Sequence, residues 1–217
     1  MKKEFTEKPK AFIEKWPGEL SMFSWEDFLT AIPSPIFLVT SYKSNGKQNA
    51  CLQSWATFVG DSGSFFCILA AVNKEGHFYE TLMDGGVCVL NFPSADIYDK
   101  CLATVEGNGF DEDEITNAGL SAESAVSVDA PRIKECFLNI ECELAWAREI
   151  QKGSKTVTVA LMSRHIAMDD EYYDENIKGR YGRTGYIYNI HSPRNANDGQ
   201  SMDDSLGILE VIPYPGR

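Results

Sequence analysis

The chain has 217 residues, 43% of them hydrophobic, which is enough apolar side chain for a buried core in one decorated domain or in two. Its formal net charge of −12 sets it against nucleic acid and anionic membrane surfaces as partners. No apolar run reaches the roughly 20 residues that span a bilayer, and residues 1–5 begin basic without the apolar stretch of a secretory signal, so a cytoplasmic setting is expected.

Residues 1–20 are polar and irregular, with Pro9, Pro17 and Gly18, and read as an arm rather than a core element. Ser24-Trp25-Glu26-Asp27 resembles a capping box that opens a short helix, which Pro33 must end. A first strand is expected over 36–42 and a returning strand over 49–58, because Asn45-Gly46 between two strand-like runs is a strong hairpin signal. After a turn at 60–64 comes a third strand over 65–71, then a short helix around 78–82 that Gly85-Gly86 stops. Residues 87–92 read as a buried strand, and Pro93-Ser94 opens a helix to about Ala103. The acidic run 111–114 reads as a solvated face that opens one helical turn ended by Gly119. Two alternating runs, 137–146 and 156–166, form a long hairpin about the turn 151–154, and 186–190 is a last short strand. Residues 192–204 are turn-like and are expected to be extended or mobile. The expected organisation is an arm over 1–23, a main domain over 24–191 and an extension over 192–217.

At least seven strands at hairpin spacing, with no βαβ rhythm, predict a mainly β fold: an antiparallel barrel with inserted helices. The six cysteines carry no CxxC and no zinc-type Cys–His spacing, so buried reduced thiols are expected and no metal site. Cys136 and Cys142 would share one face of a strand about 20 Å apart, too far to bridge. The stretch Asn49-Ala50-Cys51-Leu52-Gln53-Ser54-Trp55 is odd for a plain core strand. Its small side chains leave the backbone open to a flat ligand, which makes this strand the expected floor of a cofactor site.

Several segments, in order, resemble the flavin reductase-like family of FMN-binding split barrels, the group that includes flavoredoxins. They are Pro35-Ile36-Phe37-Leu38-Val39-Thr40, the Asn49–Trp55 stretch, Asn91-Phe92-Pro93-Ser94, Ala118-Gly119-Leu120, and Ala130-Pro131-Arg132-Ile133-Lys134-Glu135-Cys136. The resemblance covers roughly residues 30–190. It implies an antiparallel Greek-key split β-barrel, a homodimer, and FMN near the subunit interface. NAD(P)H would act as a transient electron donor, with a redox protein as a further candidate partner. It implies either an oxidoreductase passing hydride or electrons between NAD(P)H, FMN and an acceptor, or a non-catalytic FMN- or small-ligand-binding or electron-carrying flavoprotein.

By the same resemblance, the backbone of Ala50, Cys51 and Leu52 lies along the flavin ring, with Asn49, Gln53, Ser54 and Trp55 beside it. Cys51 is read as a ring contact, not a nucleophile, since no basic neighbour in sequence would lower its pKa. Relatives often hold the phosphate with Arg and Thr in the loop after the third strand; here Phe78 stands where Thr is common. Lys74, His77 and the amides after Gly76 are the substitutes, with Tyr79 beside them, or else Lys74 and His77 are plain surface residues. Asn91 either lies near the flavin or caps the helix that Ser94 begins. The basic island that includes Arg180 and Tyr181 either meets flavin or substrate or is a solvated loop. Positioning carries most of flavin chemistry, so no catalytic acid–base dyad is expected.

Overall fold

Alternating apolar residues give seven strands, which pair into one antiparallel sheet in the computed structural model, where residues 1–173 and 177–214 are described. They are β1 (Phe37–Tyr42), β2 (Gln48–Gln53), β3 (Ala56–Asp61), β4 (Ser64–Asn73), β5 (Val87–Phe92), β6 (Leu138–Arg148) and β7 (Thr156–Met168), in the order β2-β1-β5-β6-β7-β4-β3. The β1–β2 hairpin forms where Asn45-Gly46 predicted it. Gly46 takes the left-handed φ of 79° that the turn needs, and Lys43 N–H donates to Lys47 O at 2.8 Å.

The sheet curls. Its two edge strands, β2 and β3, are consecutive in the chain and joined only by Ser54 and Trp55. Phe58 on β3 meets Phe37 on β1 with ring centroids 5.8 Å apart and Phe92 on β5 at 5.6 Å. Opposite edges of a flat seven-stranded sheet cannot meet this way at strand spacings near 4.8 Å. The inside is filled by Phe37, Val39, Leu69, Leu90, Ile140, Val159 and Leu161, all buried. Helix α1 (His77–Gly85) adds Phe78 and Leu82 to that core. On the other face Leu38, Ala50 and Ile133 pack with Cys101 of α2 (Tyr98–Glu106) and Ile115 of α3 (Glu114–Asn117). An antiparallel barrel with inserted helices, as the alternation predicts, is the fold.

Four local readings change. The run 49–58 is two strands, because the chain turns a corner at Ser54-Trp55: Ala56 N–H bonds Ser54 O and Ala70 N–H bonds Trp55 O, each at 2.8 Å. The third strand runs on to Asn73 through a bulge, where Ala71 takes a φ of 58° and the register with β7 skips between Val157 and Val159. The helix after Pro93 opens with a 3-10 turn, Ala95–Ile97, and continues to Glu106. Cys136 lies before β6, its N–H on Ile133 O, so it shares no strand with Cys142.

The chain divides by packing into two compact units, Met1–Ser34 with Tyr188–Gly207, and Pro35–Ile187 with the chain from Ile208. In the first unit Arg194 is buried, pairs with Glu19, and holds its guanidinium 4.1 Å from the Phe28 ring. Phe12 is fully buried, so the first twenty residues hold a core residue of this unit. Within the turn-like stretch 192–204, a turn is closed by the antiparallel Arg194–Ser201 bridge.

All six cysteines are free; five are buried and Cys51 is partly buried. Among the described residues, no cluster of His, Cys, Asp and Glu forms a metal site, and no helix is long and apolar enough to cross a membrane.

Candidate functional site

β2 is an edge strand, so every second residue turns its main-chain N–H and C=O away from β1. Ala50 is one of these: its N–H donates to Glu114 Oε2 at 2.7 Å. Leu52, two residues on, faces the same way. Beside this edge lies a cavity of about 190 Å³, lined by residues 49–53 of β2, 71–73 of β4, 76–78 at the start of α1, Thr104 and Val105 of α2, Asn108 and Glu114. The left-handed Ala71 is on its wall, and a strained backbone position of this kind is characteristic of ligand sites.

The cavity carries buried polar atoms with nothing to bond. Asn49 is 2% exposed and its Nδ2 has no partner. His77 Nδ1 also has none, and lies 3.9 Å from Glu114 Oε1. Buried polar groups are nearly always satisfied, so two such atoms on one small cavity make it the candidate site of the fold. Cys51 receives a hydrogen bond from Gln53 Nε2. Burial pushes its thiol up to about 11, against that hydrogen bond and with the help of the Glu114 charge, so it is protonated at neutral pH.

Glu114 is the residue that sequence reading missed. It was placed in a solvated acidic run, yet it is 1% exposed and its side chain forms an ion pair of 2.7 Å with equally buried Lys43. Lys43 Nζ also donates to Gly109 O at 2.7 Å and Glu112 O at 3.0 Å. Asp113 caps α3 through Thr116 N–H at 3.0 Å, which sets Glu114 on the same helical face as buried Ala118. That four-residue spacing was the available signal; the pairing with Lys43 had none.

Of the expected site residues, the structure brings Asn49, Ala50, Cys51, Leu52, Gln53 and His77 to one cavity. The others lie off its wall. Ser54 and Trp55 make the corner between β2 and β3. Lys74 pairs with Glu149 and donates to Ser154 O at 2.6 Å, so its charge is drawn to the β6–β7 turn. Tyr79 packs on the barrel interior. Arg180 Nε donates to Tyr172 O at 2.6 Å, and the Tyr181 ring lies 6.4 Å from that of Tyr186. Asn91 neither faces the cavity nor caps a helix. It is fully buried, donates to Leu38 O, Thr40 Oγ1 and Val89 O, and accepts from Ile133 N–H and Asn139 Nδ2. It stitches β1, β5, β6 and the short strand Pro131–Ile133 together. A second cavity, of about 500 Å³, shares His77 and is lined by Tyr42, Lys43, Phe110 and the carboxylates Glu80, Asp84 and Asp129, among others.

Comparison with known proteins follows the same outline. The flavin reductase like domain family matches residues 29–182. An uncharacterized protein of Aquifex aeolicus (strain VF5) is 27% identical over 168 residues, which is 73% of this chain and 84% of that protein. A Shewanella frigidimarina protein classed as a flavin reductase with a split barrel domain superposes with a TM-score of 0.69, at 18% identity, over 88% of this chain and 90% of that one. Nitrilotriacetate monooxygenase component B from Bacillus cereus gives a TM-score of 0.70, at 16% identity, over 94% of this chain and 98% of that one. At such identities the structural likeness is one of fold. The chain belongs to the flavin reductase-like family of split-barrel proteins, which takes a flavin as cofactor or substrate.

Proposed function

We propose that the protein is an FMN-binding oxidoreductase of the flavin reductase type, which takes electrons from NAD(P)H and passes them to an acceptor. The observation that carries this is the cavity along 49–53, where an edge strand with outward main-chain groups meets the unpartnered Asn49 Nδ2. A flavin asks for a flat slot, hydrogen-bonding groups at its polar edge, and an anion-binding end. The outward main-chain groups of Leu52 and the carbonyl of Ala50 suit the polar edge, the Ala50 amide being held by Glu114. The N-terminus of α1 suits the anion, since Gly76 caps it without a side chain. A bound flavin supplies the hydride and electron chemistry; the chain supplies orientation and, through the apolar walls, exclusion of water.

The cavity's 190 Å³ is below the roughly 300–1,000 Å³ of pockets that enclose a ligand. A second copy of the chain would complete it, so the proposed state is a homodimer, which light scattering tests. The acceptor would be a small molecule or a redox protein.

Purified protein reconstituted with FMN should turn yellow, and anaerobic NADH or NADPH should bleach it. Failure to bind FMN sinks the flavin reading, while binding without bleaching favours an electron carrier. Cys51→Phe should fill the slot and weaken FMN at least about tenfold. Lys152→Ala, in the β6–β7 turn, should leave affinity unchanged; equal losses in a titration would show that the slot is elsewhere.

A further inference from the structure

We infer that the second cavity, between α1 and the β1–β2 turn, binds a small organic cation: an elongated molecule with an ammonium or guanidinium group at each end of a short apolar body. This site lies outside the flavin reading above and does not depend on it.

The first support is charge. Glu80, Asp84 and Asp129 line the cavity, and none of the three pairs with a basic side chain among the described residues. Lys43 is on the same wall, but Glu114 neutralises it at 2.7 Å. Three carboxylates are left without compensation, and the chain places two of them at a cost. Glu80 and Asp84 are four residues apart on α1, where like charges repel. Asp84 also stands in the last turn, at the negative end of the helix dipole. A cation bound there relieves both.

The second support is the shape and the walls. The cavity's volume of about 500 Å³ falls within the roughly 300–1,000 Å³ of small-molecule pockets. Tyr42 and Phe110 line it and stay 38% and 42% exposed. Aromatic faces attract organic cations, through the ring quadrupole as well as by apolar contact. Both walls are braced from beneath. Ser41 Oγ and Thr81 Oγ1, both buried, lie 2.7 Å apart and tie β1 to α1. Lys43 Nζ donates to Gly109 O at 2.7 Å and Glu112 O at 3.0 Å, and Asn45 Nδ2 to Phe110 O at 3.0 Å. These bonds hold the segment that carries Phe110 against the β1–β2 turn. A site braced in this way loses little freedom when it binds.

The third support sets the length of the ligand. Among the described residues no group of His, Cys, Asp and Glu could hold a metal ion, so the three carboxylates do not converge on one point. A single ion cannot be shared among them. A molecule with two cationic ends meets Glu80 and Asp84 on α1 with one end and Asp129, on the loop before Pro131, with the other.

The probe that tests this is 1,4-diaminobutane, titrated calorimetrically into the purified protein at about 0.15 M salt, where long-range attraction to an acidic surface is screened. The controls are 1,4-butanediol, which has the same stem and no charge, and magnesium chloride. The diamine should bind one site with a Kd below about 1 mM. The diol should give no binding, and equimolar magnesium should not displace the diamine. Glu80→Gln/Asp84→Asn should weaken the diamine about tenfold, the scale of one charge-assisted contact, and Phe110→Ala about threefold. Asp61→Asn, at an exposed carboxylate ending β3, should leave it unchanged. Circular dichroism verifies the fold of each variant, and the comparison of diamine with diol needs no variant. No binding up to about 10 mM, a diol as tight as the diamine, displacement by equimolar magnesium, or an equal loss in Asp61→Asn would each overturn the site.

Discussion

Replacing Glu114 with alanine should destabilise the protein by about 3–5 kcal/mol, because it strands the buried Lys43 ammonium without its counter-charge. For a chain of this size that is a fall of roughly 10 °C in Tm. The loss should also reach the site, since Glu114 accepts the outward N–H of Ala50 and thereby fixes the edge strand that floors the cavity. The double variant Lys43→Met/Glu114→Leu separates the two effects. Replacing a buried ion pair by apolar side chains of similar size is often close to neutral for stability, so this protein should remain folded yet bind flavin more weakly. Urea unfolding followed by fluorescence measures both. An alanine variant within about 1 kcal/mol of the parent would mean that the pair is not buried as described.

Glu141 gives the second large effect, and it depends on pH. The side chain is fully buried on β6 and accepts from Val126 N–H, from Ser127 N–H and Oγ, and from Arg132. Burial works against the charge, but the Ser127, Val126 and Arg132 donors outweigh it and hold the carboxyl at about 2, below its ordinary 4.5. A folded-state pKa below the unfolded one adds stability that is complete above about pH 4.5 and is lost as pH falls through about 2. The shift corresponds to about 3 kcal/mol. Glu141→Gln should therefore be less stable than the parent by about that much at pH 7, and the gap should close between pH 4.5 and 2. Unfolding midpoints at pH 7, 4.5 and 2.5 decide it; a gap that stays constant across that range would show that the carboxylate is not what these donors bind.

The strands were legible because both determinants are local. Alternation gave β6 and β7, and Asn45-Gly46 gave the β1–β2 turn. The corner at Ser54-Trp55 was not, because neither Gly nor Pro marks it and the strand-like composition runs through to Phe58. It exists because the curling sheet must carry the chain from one edge to the other, a demand that only the assembled strands impose. The floor of the cavity was legible for a different reason: small residues on an edge strand leave space whatever packs around them. The partners of the charged residues were not legible. Lys74 and Glu114 found charge partners distant in the chain and Arg180 a carbonyl eight residues back, and a single sequence does not say which carboxylate or carbonyl a lone charge will meet. Asn91 was ambiguous because a polar residue near the end of an apolar strand looks like a site residue, when the buried junction of four strands needs one just as much.

The free cysteines bear on how such a protein survives its own chemistry. Reduced flavin exposed to air passes electrons to oxygen and makes hydrogen peroxide, which attacks thiolates rather than thiols. Burial pushes Cys101 and Cys142 up to about 12 and Cys51 to about 11, and drives Cys67, Cys88 and Cys136 well up as well. At neutral pH all six are therefore almost wholly protonated, Cys51 on the cavity wall included. A flavin-bound chain would therefore carry its six cysteines as thiols, the form that peroxide attacks slowly.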